Sequence, residues 1–256
     1  MTTGGSIGGL ITDLKTGLAF LTRLPLAHSA RAEGADVARA GWTFPVIGAL
    51  VGACGALTYW LADATGQHPF VSGVLALAAT LLATGCLHED GLVDMVDGFG
   101  GGGTADRKLE IMRDSVIGAY GASALVLSLM LRAGAIASLA DPTLVTPALI
   151  AAHAGARATL PVFMRLVPRA RLDGLAADAG RPPLGSTALA GVLGLIAVWL
   201  SLGLSGALIA LLVVAAAAGL MAWLTLRQIS GQTGDVLGAL EQVSEILILL
   251  VAAAWL

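Results

Sequence analysis

Charged residues are scarce in this sequence. They make up 12% of its 256 residues, whereas a typical soluble domain has about 25%. The formal net charge is only −3, so the chain lacks the basic excess of a nucleic-acid-binding protein, and we expect no nucleic-acid partner. Since 57% of the residues are hydrophobic and the mean hydropathy is +0.86, the composition predicts an integral membrane protein.

Cysteine is also scarce. The two cysteines, Cys54 and Cys86, lie in apolar segments and do not have the spacing of a metal site. We therefore expect small buried side chains rather than a disulfide. A cleavable signal peptide is not expected either, because the N-terminus has no basic stretch and Asp13 and Lys15 interrupt its first apolar run.

Long apolar runs predict an all-α fold with about seven transmembrane helices in one domain, residues 1–256. Residues 42–61 are uncharged, and 20 residues are about the length that crosses a hydrocarbon core of roughly 30 Å. Residues 6–27 instead have the pattern of an amphipathic helix on the membrane surface. The other spans are expected at residues 70–87, 117–140, 144–166, 187–204 and 207–226, and in the segment after residue 229.

The positive charges predict the orientation of these spans. With a cytoplasmic N-terminus, 12 of the 14 lysines and arginines lie on the cytoplasmic side or at its membrane edge. The other two, Arg132 and Arg157, lie inside predicted spans. This asymmetry follows the positive-inside rule, so we expect a multi-pass protein of the inner membrane whose polar segments face the cytoplasm.

Acidic residues concentrate in one polar segment, residues 87–121, which holds seven of the 17 carboxylates. If this segment is helical, Asp90, Asp94 and Asp97 share one face. Like charges at that spacing repel, and a hard divalent cation such as Mg²⁺ removes the repulsion. The glycine run 100–103 would let the backbone take positive φ angles and approach a phosphate closely.

A second polar segment lies near the C-terminus. Residues 231–235 are expected to form a turn in which Asp235 caps the following helix. In that helix Glu241 and Glu245 are one turn apart inside a predicted span, which indicates a polar cavity or a metal site. A buried arginine also needs a cavity or a partner, and we expect Arg132 to be paired, or to snorkel towards the membrane surface, rather than to be catalytic.

These polar segments carry a resemblance to the cobalamin synthase family. The first matching motif comprises His88, Asp90-Gly91, Asp94, Asp97-Gly98, Arg107, residues 111–115 (IMRDS), Ile117-Gly118 and Tyr120-Gly121. The second is GQTGDVLGA at residues 231–239, which is followed by acids. FLTRLP at residues 20–25 and the Arg157-Ala158 pair are also similar to the family pattern, so the resemblance spans most of the chain.

The resemblance implies a membrane transferase that completes cobalamin. Its substrates would be adenosylcobinamide-GDP and α-ribazole or its 5′-phosphate, and GMP would be released. The cofactor would be Mg²⁺, and membrane lipid would surround the protein. Whether the protein forms a homo-oligomer is left open. The sequence departs from the family pattern at Val116, where many members have arginine. The resemblance therefore says less about which residues bind phosphate here.

The residues expected in the site fall into three groups. The metal ligands would come from Glu89, Asp90, Asp94, Asp97, Glu241 and Glu245. The catalytic residues would be His88, Asp94 and Asp97, with His88 or a carboxylate as the proton acceptor. The substrate would be held by Arg23, Arg107, Arg113, Asp114, Arg157, Thr233 and Asp235.

Five alternative interpretations explain less of the sequence. A CDP-alcohol phosphotransferase also has an Asp-x-x-Asp-Gly helix, but its Ala-Arg pair is replaced by Gly101-Gly102. A cation-coupled transporter would explain Arg132 and Glu241, but most acids here lie in one polar segment. A structural subunit or a plain hydrophilic loop would not explain the carboxylate spacing, and that spacing is not an EF-hand's.

Overall fold

The computed structural model describes residues 7–24, 34–171, 173–174 and 179–256, and it is 84% helical without strands in this part of the chain. This confirms the expected all-α class. The helices are α1 (Ile7–Leu21), α2 (Gly34–Arg39), a 3₁₀ turn (Ala40–Thr43), α3 (Phe44–Ala64), α4 (Pro69–Thr84), α5 (Leu87–Gly101), α6 (Ala105–Ile111), α7 (Ala119–Leu139), α8 (Pro142–Leu166), α9 (Leu184–Ile229) and α10 (Gly234–Trp255).

The helices have the length and apolarity of a membrane protein. Among the described residues, four helices can cross a membrane, namely the segment Asp36–Ala64, α7, α9 and α10, and the bent pair of α4 and α5 would make a fifth. The expected number of about seven is reached if α4, α8 and the two parts of α9 each cross. The exact number of crossings therefore stays a prediction.

Helix α9 is bent in its middle. A straight helix of its 46 residues would be about 69 Å long, roughly twice the thickness of a hydrocarbon core. The helix breaks at Gly203, which has φ 68° and ψ 177°. Gly191 and Gly219 line the same groove against α8, whereas a straight helix would separate them by about 42 Å. The two parts of α9 therefore fold back on each other, as the two predicted spans require.

A sharp corner separates α4 from α5. Gly85 and Cys86 both have left-handed φ angles, 66° and 58°, and both of their amides donate to Leu81 O. This local geometry ends α4, and the axis of α5 is bent by 89° from that of α4. The span predicted at residues 70–87 therefore does not run straight on into the carboxylate helix. Cys86 and Cys54 are free, as expected, but exposed rather than buried.

Helix α1 is anchored by one buried carboxylate. Asp13 accepts hydrogen bonds from Arg39 Nε at 2.9 Å and from Trp42 Nε1 at 3.0 Å. Ile7 and Ile11 remain exposed on the other side of the helix, as expected for an amphipathic helix that dips into a membrane surface. Its predicted continuation to residue 27 lies partly outside the described residues.

Helices α5 and α10 cross at two glycines. A Cβ atom on Gly91 would lie 2.9 Å from Asp235 O, and one on Gly238 would lie 3.1 Å from His88 O. Only glycine at both positions lets the two backbones approach this closely. The crossing brings the carboxylate helix against the second polar segment.

Substitution of Gly91 by alanine is expected to lower the unfolding midpoint in detergent by several degrees, because the added methyl group meets the α10 backbone. In an open helix position the same change adds helix propensity worth up to about 1 kcal/mol. Gly134→Ala in α7 is the matched control, since no atom lies within 4 Å of its Cβ position. Equal midpoints for the two variants would contradict the close crossing.

Candidate functional site

The predicted polar segments meet at a cavity of about 320 Å³. Its polar lining includes His88 and Asp90 from α5, Thr233 and Asp235 at the start of α10, and Arg171 from the segment after α8. The cavity thus contains four of the predicted site residues. Arg171 was not among the predicted site residues; its place in the arginine-rich segment 165–181 was the signal for a site role.

The start of α10 is built around Thr233. Its hydroxyl accepts a hydrogen bond from Val236 N at 3.3 Å and donates to Asp235 Oδ2 at 3.0 Å. Thr233, not Asp235, is therefore the N-cap, which corrects the prediction. Asp235 faces Arg171 instead, with 3.4 Å between Oδ2 and Nη2.

Asp90 and Asp94 have no hydrogen bond or ion pair to their side chains among the described residues. Asp90 is exposed at the cavity and Asp94 is half-buried. Burial raises the pKa of Asp94 to about 7, with further contributions from the charges of Asp90 and Asp235. These three acids, on two crossing helices, form a negative cluster in which Asp235 alone faces a cationic partner, Arg171, among the described residues.

Asp97 has a different environment from the other two predicted ligands. It is buried, and its two oxygens accept hydrogen bonds from Gly118 N at 2.7 Å and Gly121 N at 2.8 Å. A carboxylate in this position caps the N-terminus of α7. Asp97 thus joins α5 to α7, and its roles in metal binding and catalysis stay predictions.

The glycine run does not have the predicted geometry. Gly100 and Gly101 continue α5, and none of the four glycines in the run has a positive φ angle. The Cβ position of Gly100 is 2.7 Å from the Tyr120 ring, and that of Gly102 is 2.8 Å from Lys108 N. The prediction of positive φ angles was wrong, since these glycines permit tight packing.

The predicted phosphate-binding residues of the α6 region lie at the surface. Arg107 pairs with Glu110 at 2.6 Å, and both side chains are exposed. Arg113 donates to both oxygens of Asp173, at 2.7 and 2.5 Å, and Asp173 lines the cavity. Asp114 accepts a hydrogen bond from the backbone two residues later at 3.2 Å. Of these residues, only Arg113 is linked to the cavity.

Arg23 lies at the corner between α4 and α5. Its backbone amide donates to Ala83 O at 2.8 Å, and its side chain packs over Gly85. It is not part of the cavity lining. The structure therefore places Arg23 beside the base of the carboxylate helix, and its role in substrate binding stays a prediction.

A buried ion network lies behind the cavity. Arg132 Nη1 donates to Glu89 Oε1 at 3.0 Å and to Glu245 Oε1 at 3.1 Å, and Glu245 Oε2 is 3.1 Å from His153 Nδ1. This confirms that Arg132 is paired. His153 was not among the predicted site residues; its signal was a polar side chain within a predicted span.

The network reaches the cavity through His88. Arg157 Nη1 lies 2.6 Å from Glu241 Oε1, and His88 Nδ1 lies 3.6 Å from Glu241 Oε2 and 3.4 Å from Arg157 Nη2. Arg157 is 1% exposed and does not line the cavity. It therefore contacts the lining residue His88 rather than the cavity itself.

Three residues of this network have the composition of a metal site. Ligand atoms of His153, Glu241 and Glu245 lie within 4.8 Å of one another. However, both carboxylates already face arginines, and a cation would have to share the space with these positive charges. The geometry favours an ion network here, and the metal roles of Glu89, Glu241 and Glu245 stay predictions.

Comparison with known proteins identifies the family. The family described as cobalamin-5-phosphate synthase matches residues 13–253. The chain belongs to this family. It is 53% identical to the adenosylcobinamide-GDP ribazoletransferase of Bradyrhizobium diazoefficiens over 98% of this chain and 96% of the relative.

Other members of the cobalamin-5-phosphate synthase family are nearly as similar. The proteins of the same name from Mesorhizobium japonicum and Ralstonia nicotianae are 51% and 41% identical, over 95% and 93% of this chain and 93% of each relative. No solved structure matches the chain. The family membership favours a cobalamin-pathway transferase over the phosphotransferase and transporter alternatives.

Substitution of Arg132 by methionine is expected to destabilise the protein by about 3 kcal/mol or more, because it leaves Glu89 and Glu245 buried without a counter-charge. The unfolding midpoint in detergent measures this. Adding Glu245→Gln should restore part of the loss, and Arg107→Met, at an exposed ion pair, should have little effect. A stable single variant would show that the network does not hold the helices together.

Proposed function

We propose that this protein is an adenosylcobinamide-GDP ribazoletransferase of the bacterial inner membrane, with its site facing the cytoplasm. The observation that carries the proposal is the cavity where the unpaired Asp90, the Asp235–Arg171 pair and the N-terminus of α10 meet. Acids that bind a cation and groups that bind phosphate are what a pyrophosphate-containing substrate requires. The names of the most similar relatives specify the substrate.

In the proposed reaction, a ribose hydroxyl of α-ribazole, or of its 5′-phosphate, attacks the phosphorus that carries the cobinamide group. A new phosphodiester bond forms, the pyrophosphate bond to GMP breaks, and the hydroxyl proton is transferred to a base. Phosphoryl transfer of this kind depends mainly on positioning and on neutralisation of charge.

The acids at and beside the cavity fit Mg²⁺. Asp90 and Asp235, which line the cavity, and Asp94, one turn further along α5, supply only oxygen ligands, which Mg²⁺ prefers. The charges of Asp90 and Asp235 contribute to the raised pKa of Asp94, so the three carboxylates lie close to one another. These three residues would hold the ion, which when bound neutralises charge on the pyrophosphate and on the departing GMP. Asp235 was predicted as a substrate residue, and its proximity to Asp90 and Asp94 supports assigning it to the proposed metal site instead.

The remaining groups of the cavity position the substrate. Arg171 can donate hydrogen bonds to phosphate oxygens, and the N-terminus of α10 beside Thr233 presents the positive end of the helix dipole. His88, on the cavity wall and adjacent to Glu241, is suited to accept the hydroxyl proton, with a carboxylate as the alternative base. Together, these residues would bind and orient the substrate and remove the proton of the attacking hydroxyl.

The proposed function is tested by adding adenosylcobinamide-GDP and α-ribazole 5′-phosphate to the purified protein in detergent, with Mg²⁺ or with EDTA. We expect Mg²⁺-dependent formation of GMP and corrinoid product. Asp94→Asn should lower kcat/KM by at least about a hundredfold, because it weakens the metal site.

The matched control is Asp106→Asn, which changes an exposed acid of α6 and should leave turnover intact. Absence of product from folded protein would reject the proposed reaction. Full activity in EDTA, or in Asp94→Asn, would instead reject the proposed metal site while leaving the reaction in place.

A further inference from the structure

One residue of the cavity lining has buried polar atoms without partners. Gln232 is 1% exposed and lines the cavity, and neither its Oε1 nor its Nε2 has a hydrogen bond within the described residues. Leaving both ends of a buried amide unpaired is costly. Such an amide is a candidate ligand-binding group, and the family motif supplies it directly before Thr233.

The position of Gln232 is held firmly by its backbone. The backbone N–H of Gln232 donates to Pro168 O at 2.8 Å, and its backbone carbonyl accepts from Ala170 N at 2.9 Å. The preceding Gly231 approaches so closely that a Cβ atom there would lie 2.5 Å from Pro168 O. The unpaired side chain therefore belongs to a tightly packed segment rather than to a mobile surface.

The cavity selects one part of the substrates by its size. Its volume is about 320 Å³, at the lower end of small-molecule pockets. A corrin ring with its side chains is far too large to enter, whereas a base with its ribose fits. Phe44, Leu160, Met164 and Leu237 supply apolar walls for a flat ring.

The chemistry of the amide distinguishes the two bases of the proposed reaction. A primary amide presents an acceptor and a donor side by side. Guanine presents the complementary pair on one edge, N1–H and O6, so both amide atoms become paired. The dimethylbenzimidazole ring of α-ribazole offers one acceptor nitrogen and no donor, which would leave Gln232 Oε1 unpaired.

We infer that Gln232 binds the guanine base of the GDP-activated donor and thereby sets the nucleotide specificity of the enzyme. The inference rests on the proposed function for the identity of the purine. The adjoining Thr233, at the N-terminus of α10, and Arg171 then lie where the phosphates of the same nucleotide can be bound. The corrinoid group remains outside the cavity.

The first test needs only the unmodified protein. Binding of GMP, IMP and 1-methyl-GMP to the full chain in detergent is measured by isothermal titration calorimetry. IMP retains the N1–H and O6 edge, so it should bind within a fewfold of GMP. 1-Methyl-GMP lacks the N1–H donor and should bind at least about tenfold more weakly. Equal affinity for GMP and 1-methyl-GMP would overturn the inference.

The second test changes the residue. Gln232→Leu should raise the KM for adenosylcobinamide-GDP and weaken GMP binding by about tenfold to a hundredfold, as expected for two lost hydrogen bonds. The KM for α-ribazole should stay unchanged. The control is Gln67→Leu, because Gln67 is exposed in the turn between α3 and α4, far from Gln232 in the sequence. An effect on the acceptor KM alone would contradict the assignment, and the nucleotide series decides if the variant does not fold.

The two proposals fail in different ways. If the protein discriminates GMP from 1-methyl-GMP but makes no corrinoid product, the guanine site is supported and the proposed reaction is rejected. A protein that makes product but binds both nucleotides equally would retain the reaction and lose the role of Gln232.

Discussion

The close contact between α5 and α10 is the constraint on which the candidate site depends. Gly91 and Gly238 bring the two backbones together, so acids that are far apart in the sequence act on one space. Without this approach Asp235 would be separated from Asp90 and Asp94. The negative cluster therefore results from the packing of two helices, and not from either polar segment alone.

The buried ion network holds the same helices from behind. Arg132 on α7 links Glu89 on α5 to Glu245 on α10, and Asp97 fastens α5 to the first turn of α7. An isolated charge among apolar helices is costly, so each of these groups requires its partner in place. This requirement specifies how α5, α7 and α10 are arranged at the cavity.

The helical class and four of the polar residues that line the cavity were predictable from the sequence, because apolar runs and carboxylate spacing are local signals. The 89° corner at Cys86 was not, since a non-glycine residue with positive φ leaves no mark in a hydropathy pattern. The partners of Asp97 and Glu89 were not predictable either. Which acid faces a backbone amide and which faces an arginine depends on contacts between distant segments.

The division of labour among the acids follows from which ones already have partners. Asp97 is used as a helix cap, and Glu89 and Glu245 are used as counter-charges for Arg132. Asp90 and Asp94 have no such use among the described residues, although repulsion between them opposes folding. In the proposed function, a bound cation would offset that repulsion. The acids that share one face in the sequence thus separate, in the structure, into acids that hold the fold and acids that have no protein partner among the described residues.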